Sequence, residues 1–313
     1  MSCSICGSPA VYYYRESKLR LCKKHFAERF EERVRETIEK FGLLERGDRV
    51  AVAVSGGKDS LTTLYLLKKF SAVLGIEVFG LAIDEGIRGY REYKLEALRR
   101  FSREIGVEVH VVRFSEHLGS TLDHMVEMLE EKGFVYKPCT VCGVFRRYLV
   151  NKVARELGAT KVATGHNLDD EIQVFVMNFL RGGLVNVARE GILTGLYEHP
   201  KLVPRVKPLY FCREREVLAY SIINGIETPF VECPYVIYSL RHKIRRWLNR
   251  LERERPGSKE RILALKHIVA ELLRGTEYSR GEIRTCRECG EPASGDICKA
   301  CTLRNYLGLE TYS

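Results

Sequence analysis

Residues 48–60 read DRVAVAVSGGKDS, and this stretch decides the fold. DRVAVAV is a short β-rich run, SGGKDS at 55–60 is a polar glycine-rich loop, and SLTTLYLLKKFSAVLG beyond it spaces Leu61, Leu64 and Leu67 as one helix face. A strand, a glycine loop and a helix in that order make an anion grip. Gly56 and Gly57 let the backbone approach a phosphate, the helix N-terminus presents free N–H groups, and Lys58 adds a full charge. The loop is not a Walker A motif, because Val52 stands where its first glycine would fall and Asp59 follows the lysine.

Working outward, the hydrophobic period keeps switching between two and 3.6. IEVFGLAI (76–83) reads as a strand, YREYKLEALRRFSREIG (90–106) as a helix and VEVHVVRF (107–114) as a strand. FRRYLVNKVARELG (145–158) then reads as a helix, TKVATG (160–165) as a strand and LDDEIQVFVMNFLRGG (168–183) as a helix. Strands separated by helices of this length predict an α/β fold with a doubly wound parallel sheet. Ligands of such sheets bind beyond the carboxyl ends of the strands. Three polar, glycine-bearing loops fall there: SGGKDS, DEGIRGY (84–90) and GHNLDDE (165–171).

The chain has 313 residues, 45% hydrophobic and 29% charged, a globular composition large enough for more than one domain. No apolar run reaches the ~18 residues of a membrane span. MSCSICGSPA lacks the basic and apolar regions of a secretory signal, so a cytoplasmic protein with no membrane partner is expected. Fifty-one Lys and Arg against 41 Asp and Glu leave a net charge of +10, which favours a polyanionic partner. Part of that excess lies in SLRHKIRRWLNRLERER (239–255), which carries Trp247 among its cations on a helix. A solvated helix face is the competing reading of that stretch.

Eleven cysteines without a secretory signal point to metals or catalysis. Cys3, Cys6, Cys22 and His25 form one set of two close pairs, and Cys286, Cys289, Cys298 and Cys301 form another. Each set can close a tetrahedron around Zn²⁺, so two zinc ions are expected, in modules too short to fold without metal. The domains expected are an N-terminal finger (1–30), a catalytic domain (31–255), a helical linker (256–283) and a C-terminal ribbon (284–313). Cys212, in PLYFCRERE, sits at an apparent strand end entering a helix, where a lone cysteine is usually a small buried hydrophobe. Cys139, Cys142 and Cys233 remain, the first two in YKPCTVCGVFRRYL (136–149) with no matching pair nearby.

SGGKDS after the first strand and GHN-x-DDE after a later one resemble the PP-loop ATP pyrophosphatases, with their adenine-nucleotide α-hydrolase-like fold. Those enzymes cleave ATP between its α and β phosphates and adenylate a substrate. DEGIRGYR (84–91), PCTVCGVFRR (138–147), ATGHNLDDE (163–171) and ECPY (232–235) narrow the resemblance to the tRNA 2-thiouridine synthetases, from one terminal finger to the other. The resemblance implies ATP held by Ser55, Gly56, Gly57, Lys58, Asp59 and Ser60, adenosine against Ala53, Ile83 and Gly165, and Arg146 on the nucleotide. Asp59 and Asp170 are the candidates for Mg²⁺. Asp169 is equally well read as an acid favoured near a helix N-terminus, and His166 as a loop histidine with a local bond.

By the same resemblance Cys139, Cys142 and Cys233 ligate a [4Fe-4S] cluster and leave one iron open for sulfur. Lys58, Asp59, Cys142 and Cys233 are then the catalytic candidates. Two other readings stay open: Cys142 and Cys233 as a persulfide and resolving pair, or the three cysteines with Cys212 as a third zinc site. Uridine C2 is a poor electrophile, and adenylating its oxygen supplies a leaving group. The expected partners are tRNA, tracked by Arg241, Lys243, Arg245, Arg246 and both fingers, and a sulfur donor, either free sulfide or a ubiquitin-like thiocarboxylate. A homodimer is implied as well. FRRYLVNK and NFLRGG lean toward the wobble uridine over a T-loop uridine. Amide or lysidine formation would leave the three cysteines without a purpose, and a zinc-ribbon adaptor with a vestigial nucleotide site would not need Lys58, Asp59 and Asp170.

Overall fold

The computed structural model describes residues 1–194, 199–274, 276, 278 and 283–309. In chain order its elements are β1 (Tyr12–Tyr14), β2 (Leu19–Leu21), α1 (Lys23–Lys40), β3 (Arg49–Ala53), α2 (Lys58–Leu74), β4 (Glu77–Asp84), α3 (Arg91–Glu104) and β5 (Val109–Arg113). There follow α4 (Phe114–Leu118), α5 (Leu122–Glu131), α6 (Pro138–Glu156), β6 (Lys161–Thr164), α7 (Leu168–Leu180), α8 (Leu184–Arg189), β7 (Leu193–Thr194), β8 (Arg205–Val206) and α9 (Glu214–Ile223). After a 3₁₀ turn at Pro234–Tyr238 come α10 (Leu240–Glu254), α11 (Ser258–Leu273), β9 (Arg284–Thr285), β10 (Pro292–Ala293) and α12 (Lys299–Leu307). None of the described helices is long and apolar enough to cross a membrane.

The central sheet has the order β5-β4-β3-β6-β8-β7, parallel throughout except that β7 runs antiparallel on the β8 edge. From β3 the chain winds outward through β4 to β5, then returns to the other side at β6. The winding therefore reverses between β3 and β6, and the crevice at their carboxyl ends is the place for a ligand. Strand parity splits the apolar residues into two cores, as alternation requires. Val50, Val52 and Val54 enter the core shared with α1, α2, α3 and α9, whereas Ala51, Phe79, Leu81 and Ile83 enter the one shared with α5 and α6.

Each terminal module extends one of these cores. Cys3, Tyr14, Leu21 and Cys22 join the first, where Phe30 of α1 stacks on Tyr220 of α9 at 4.5 Å, and Cys286, Cys298 and Cys301 join the second. The finger has no joint at residue 30, because α1 runs unbroken from beside Cys22 to Lys40. The C-terminal module is fastened to α6 and its flanks by Arg155 Nη1 donating to Glu291 Oε2 at 2.9 Å and by Lys201 Nζ donating to the Gly290 carbonyl at 2.7 Å.

Residues 256–283 were expected to link two domains, and here the structure differs. Their helix, α11, packs on α7 and α8, with Lys259 paired to Asp169 and Lys266 to Glu171. Both lysines are buried. In a linker their charges would be solvated; here they neutralise two acids of the GHNLDDE loop, so the catalytic domain continues through α11.

Candidate active site

The three loops at the carboxyl ends of the strands meet at the reversal. Gly56 has φ of 78°, and a side chain there would put its Cβ 2.3 Å from the Lys94 carbonyl oxygen of α3. At Gly165 a Cβ would lie 2.8 Å from backbone atoms of Asp59 and Ser60, so the loop after β6 presses directly on the N-terminus of α2. SGGKDS is held by its own hydroxyls: Ser60 Oγ accepts from the Ser55 N–H at 3.1 Å and donates to the Gly57 carbonyl at 2.9 Å. Arg91 ties in the second loop, donating to the Ser55 carbonyl at 2.6 Å and pairing with Glu85 at 3.0 Å.

A cavity of about 460 Å³ opens over these loops, lined by Ala53, Ser55, Gly57, Asp59, Ser60, Ile83, Arg146, Gly165 and Asp170 among others. Gly56 faces α3 instead. Lys58 turns the other way, binding Asp59 Oδ2 at 2.8 Å and Glu214 Oε1 at 3.1 Å on the wall of a second cavity. Burial opposes the Lys58 charge, but these two carboxylates win and hold its pKa above the ordinary value.

Asp59 and Asp170 are drawn together by Asn167. Its side-chain amide donates to Asp59 Oδ1 at 3.0 Å, while its carbonyl oxygen caps α7 by accepting from the Asp170 N–H at 3.1 Å. Burial raises the pKa of both acids, and the charge of Asp170 adds to the effect on Asp59. Both are half-buried, paired with Lys58 and Arg241, and together form an oxygen donor set that could hold a divalent cation. Asp169 does something else: it accepts from the Glu214 N–H at 2.8 Å and pairs with Lys259, a structural role. His166 makes a local bond, to the Thr164 hydroxyl at 2.9 Å.

Sequence reasoning missed Asn167, Glu85, Arg91 and Glu214. Glu85 and Arg91 lay inside the DEGIRGYR motif, and Asn167 left a second signal, since Asn followed three residues later by Asp is a helix-capping pattern. The basic stretch needs correcting too. Arg241 donates to Asp170 Oδ1 at 2.6 Å and to Gln173, and Arg245 to Glu214 Oε1 at 2.6 Å. Two of the four cations expected on tRNA thus pair with the site's own acids, Arg241 half-buried and Arg245 still exposed, as are Lys243 and Arg246.

Cys139 and Cys142 were expected just before a helix; they lie inside its first turns, because Pro138 starts α6. Cys233 arrives from the segment before the 3₁₀ turn, where the Tyr235 carbonyl accepts from Cys139 Sγ at 3.3 Å and the Tyr235 hydroxyl anchors to Asp123 at 2.7 Å. Burial pushes all three thiols up, Cys142 to about 12, and the Arg146 guanidinium pulls each back. A bound metal centre would supply the charge that deprotonates them.

Among the described residues only the two terminal sets gather three or more Cys, His, Asp or Glu ligand atoms within 4.8 Å of one another. The three central cysteines are spread more widely than one small ion requires. Cys212 is no fourth ligand: it is fully buried in the other core, in a turn before α9 and not at a strand end. In the terminal sets Cys6 and Cys22 stand 3.8 Å apart, Cys286 and Cys301 3.8 Å, and Cys289 and Cys298 3.6 Å. A tetrahedron with Zn–S of 2.3 Å has edges of about 3.8 Å.

Comparison with known proteins agrees with this geometry. The PP-loop domain family matches residues 25–232, and the N-terminal LIM domain of 2-thiouridine synthetase TtuA matches residues 2–27. The chain is 38% identical over 301 residues to the tRNA-5-methyluridine(54) 2-sulfurtransferase of Pyrococcus horikoshii, covering 96% of this chain and 93% of that one. It is 34% identical over 318 residues to the tRNA 2-thiolation protein NcsA of Haloferax volcanii, covering 97% and 98%. The solved structure of U34-tRNA thiolase NcsA from Methanococcus maripaludis with its [4Fe-4S] cluster is similar at a TM-score of 0.84 and 32% identity, over 100% of this chain and 99% of that one. With its pyrophosphatase loops, its three central cysteines and these relatives, the chain belongs to the tRNA 2-thiouridine synthetases of the PP-loop family.

Proposed function

We propose that this enzyme adenylates the C2 oxygen of a tRNA uridine with ATP and exchanges that oxygen for sulfur. The observation that carries the reading is Arg146. It lines the nucleotide cavity and stands one helical turn after Cys142 on α6, so one helix face joins the ATP grip to the central cysteines.

The uridine C2 oxygen attacks the α-phosphate and pyrophosphate leaves, with loss of the N3 proton. Hydrosulfide then adds at C2 and AMP departs with the original oxygen, leaving a C2 thiocarbonyl once the proton sits on N3; with a thiocarboxylate donor, attack at C2 first gives an acyl–sulfur adduct, and water cleaves its acyl C–S bond to release the carrier as a carboxylate. No electrons are exchanged. Ser55 to Ser60 hold the phosphates, Lys58 offsets charge on the departing pyrophosphate, and Asp59 and Asp170 hold Mg²⁺. Cys139, Cys142 and Cys233 would hold the [4Fe-4S] cluster, which supplies, when bound, an iron with an open position for sulfur. The terminal sets each take one Zn²⁺. Lys243 and Arg246 reach tRNA phosphates, and a homodimer completes the reading. The wobble uridine is the favoured target on the FRRYLVNK and NFLRGG segments, with the T-loop uridine as the second.

The test is anaerobic incubation of the cluster-loaded protein with tRNA, ATP and sulfide, with nucleoside mass spectrometry of the product. 2-Thiouridine is expected, and mapping gives its position. Lys58→Ala should slow pyrophosphate release by about 10²–10³-fold, the usual cost of one electrostatic donor to a developing charge. A fully loaded protein that makes no 2-thiouridine refutes the proposal.

A further inference from the structure

The second cavity, of about 1180 Å³, shares Gly57, Asp59 and Asp170 with the nucleotide cavity and has Cys233 on its wall. It exceeds the ~300–1,000 Å³ of a small-ligand site, leaving room for a nucleotide with its flanking phosphates. Asp59 lines both cavities and Lys58 reaches from the phosphate loop into the second one, where Cys233 of the proposed sulfur site also lies. A base that is first adenylated at C2 and then thiolated at the same atom has to sit between that loop and Cys233.

One side chain on that wall is out of place by ordinary folding logic. Phe230 is 98% exposed, the most exposed of the large hydrophobic residues described. It stands three residues before Cys233, in TPFVECPY (228–235). The segment is tethered: buried Lys94 donates its ammonium to the Pro229 carbonyl at 2.7 Å, and the Lys94 backbone abuts Gly56 of the phosphate loop. Tyr90, the cavity's other aromatic, is half-buried. Arg215, Arg246 and Arg253 are exposed on the same wall. A presented aromatic ring among cations is the composition with which proteins stack unpaired RNA bases and hold the adjoining phosphates.

We propose that Phe230 is the platform on which the splayed-out target uridine stacks, held by Lys94 at the height that sets C2 between Asp59 and Cys233. Phe230 is a positioning residue, and its role rests on the thiolation reading above. Because the ring is exposed, Phe230→Ala should fold and load iron and zinc as the wild type does.

The experiment compares wild type with Phe230→Ala, Phe230→Leu and Phe230→Trp as cluster-loaded full chains, using tRNA, ATP and free sulfide. The expected result is a fall of about 5- to 150-fold in kcat/KM for tRNA in the alanine variant, the worth of one base–aromatic stack. ATP binding should be unchanged, Trp should restore activity and Leu should not. The platform is overturned if the alanine variant keeps wild-type kcat/KM, if Leu restores as well as Trp, or if loss appears only with a protein sulfur donor, which would make Phe230 a protein contact. An inactive wild type overturns the thiolation reading and the platform together; an active wild type beside an equally active alanine variant overturns the platform alone.

Discussion

The terminal cysteine sets and the central one use the same residue type for opposite ends. Each terminal set is closed: four donors from one short stretch, within 4.8 Å of one another, with no position left for a substrate. The central set has three cysteines from two segments about 90 residues apart, spread more widely, and one of them, Cys233, lies on the wall of an open cavity. Closed coordination stabilises a fold, whereas an incomplete set leaves a position for chemistry. The terminal modules complete the two hydrophobic cores, while Cys233 of the central set lines the second cavity.

The comparison breaks first, if it breaks, at the central set. Cys233→Ser should lower iron content and reduce thiolation by more than about 100-fold, since outer-shell changes around metals alone cost about 10–100-fold. Thermal unfolding should stay within a few degrees of wild type, because Cys233 is only half-buried. Iron analysis, the thiolation assay and calorimetry read the three outcomes. An active serine variant would end the distinction.

Cys298→Ser should do the reverse. It opens a closed set whose cysteines are part of the second core, so bound zinc should fall from two ions to one and the melting temperature should drop by more than about 4 °C. ATP binding should persist, because no residue of that set lines the nucleotide cavity. Metal analysis, calorimetry and nucleotide titration test this together.

Cys212→Ala sharpens the contrast with the smallest effect. Cys212 is fully buried and belongs to neither kind of site, so the change should cost about 1 kcal/mol in denaturant unfolding and leave iron, zinc and thiolation unaltered. Burial raises its thiol pKa above the usual range, which keeps it protonated and inert to alkylation in the folded protein.

Much of the site was legible because its logic is local. The glycines of SGGKDS, the acids of GHNLDDE and the close Cys pairs act within a few residues of their partners, so spacing carries their meaning. The misreadings have the opposite character. Arg241 and Asp170 are 71 residues apart, Lys259 and Asp169 are 90, and Lys266 and Glu171 are 95. A cation on a helix is written the same way whether it faces water or neutralises a distant buried acid. β7 and β8 escaped for another reason: strands of two residues have no period to read.

What the sequence by itself determined is the alternating α/β architecture, the anion grip at the end of β3 and the two closed metal sets, since each follows from periodicity or from donors only a few turns apart. Tertiary structure alone decided which cations pair with the site's own acids, how α11 packs on α7 and α8, and that the segment carrying Cys233 comes to lie against Cys139 of α6. Those outcomes depend on how burial balances distant charges, and a linear spacing holds no record of that balance.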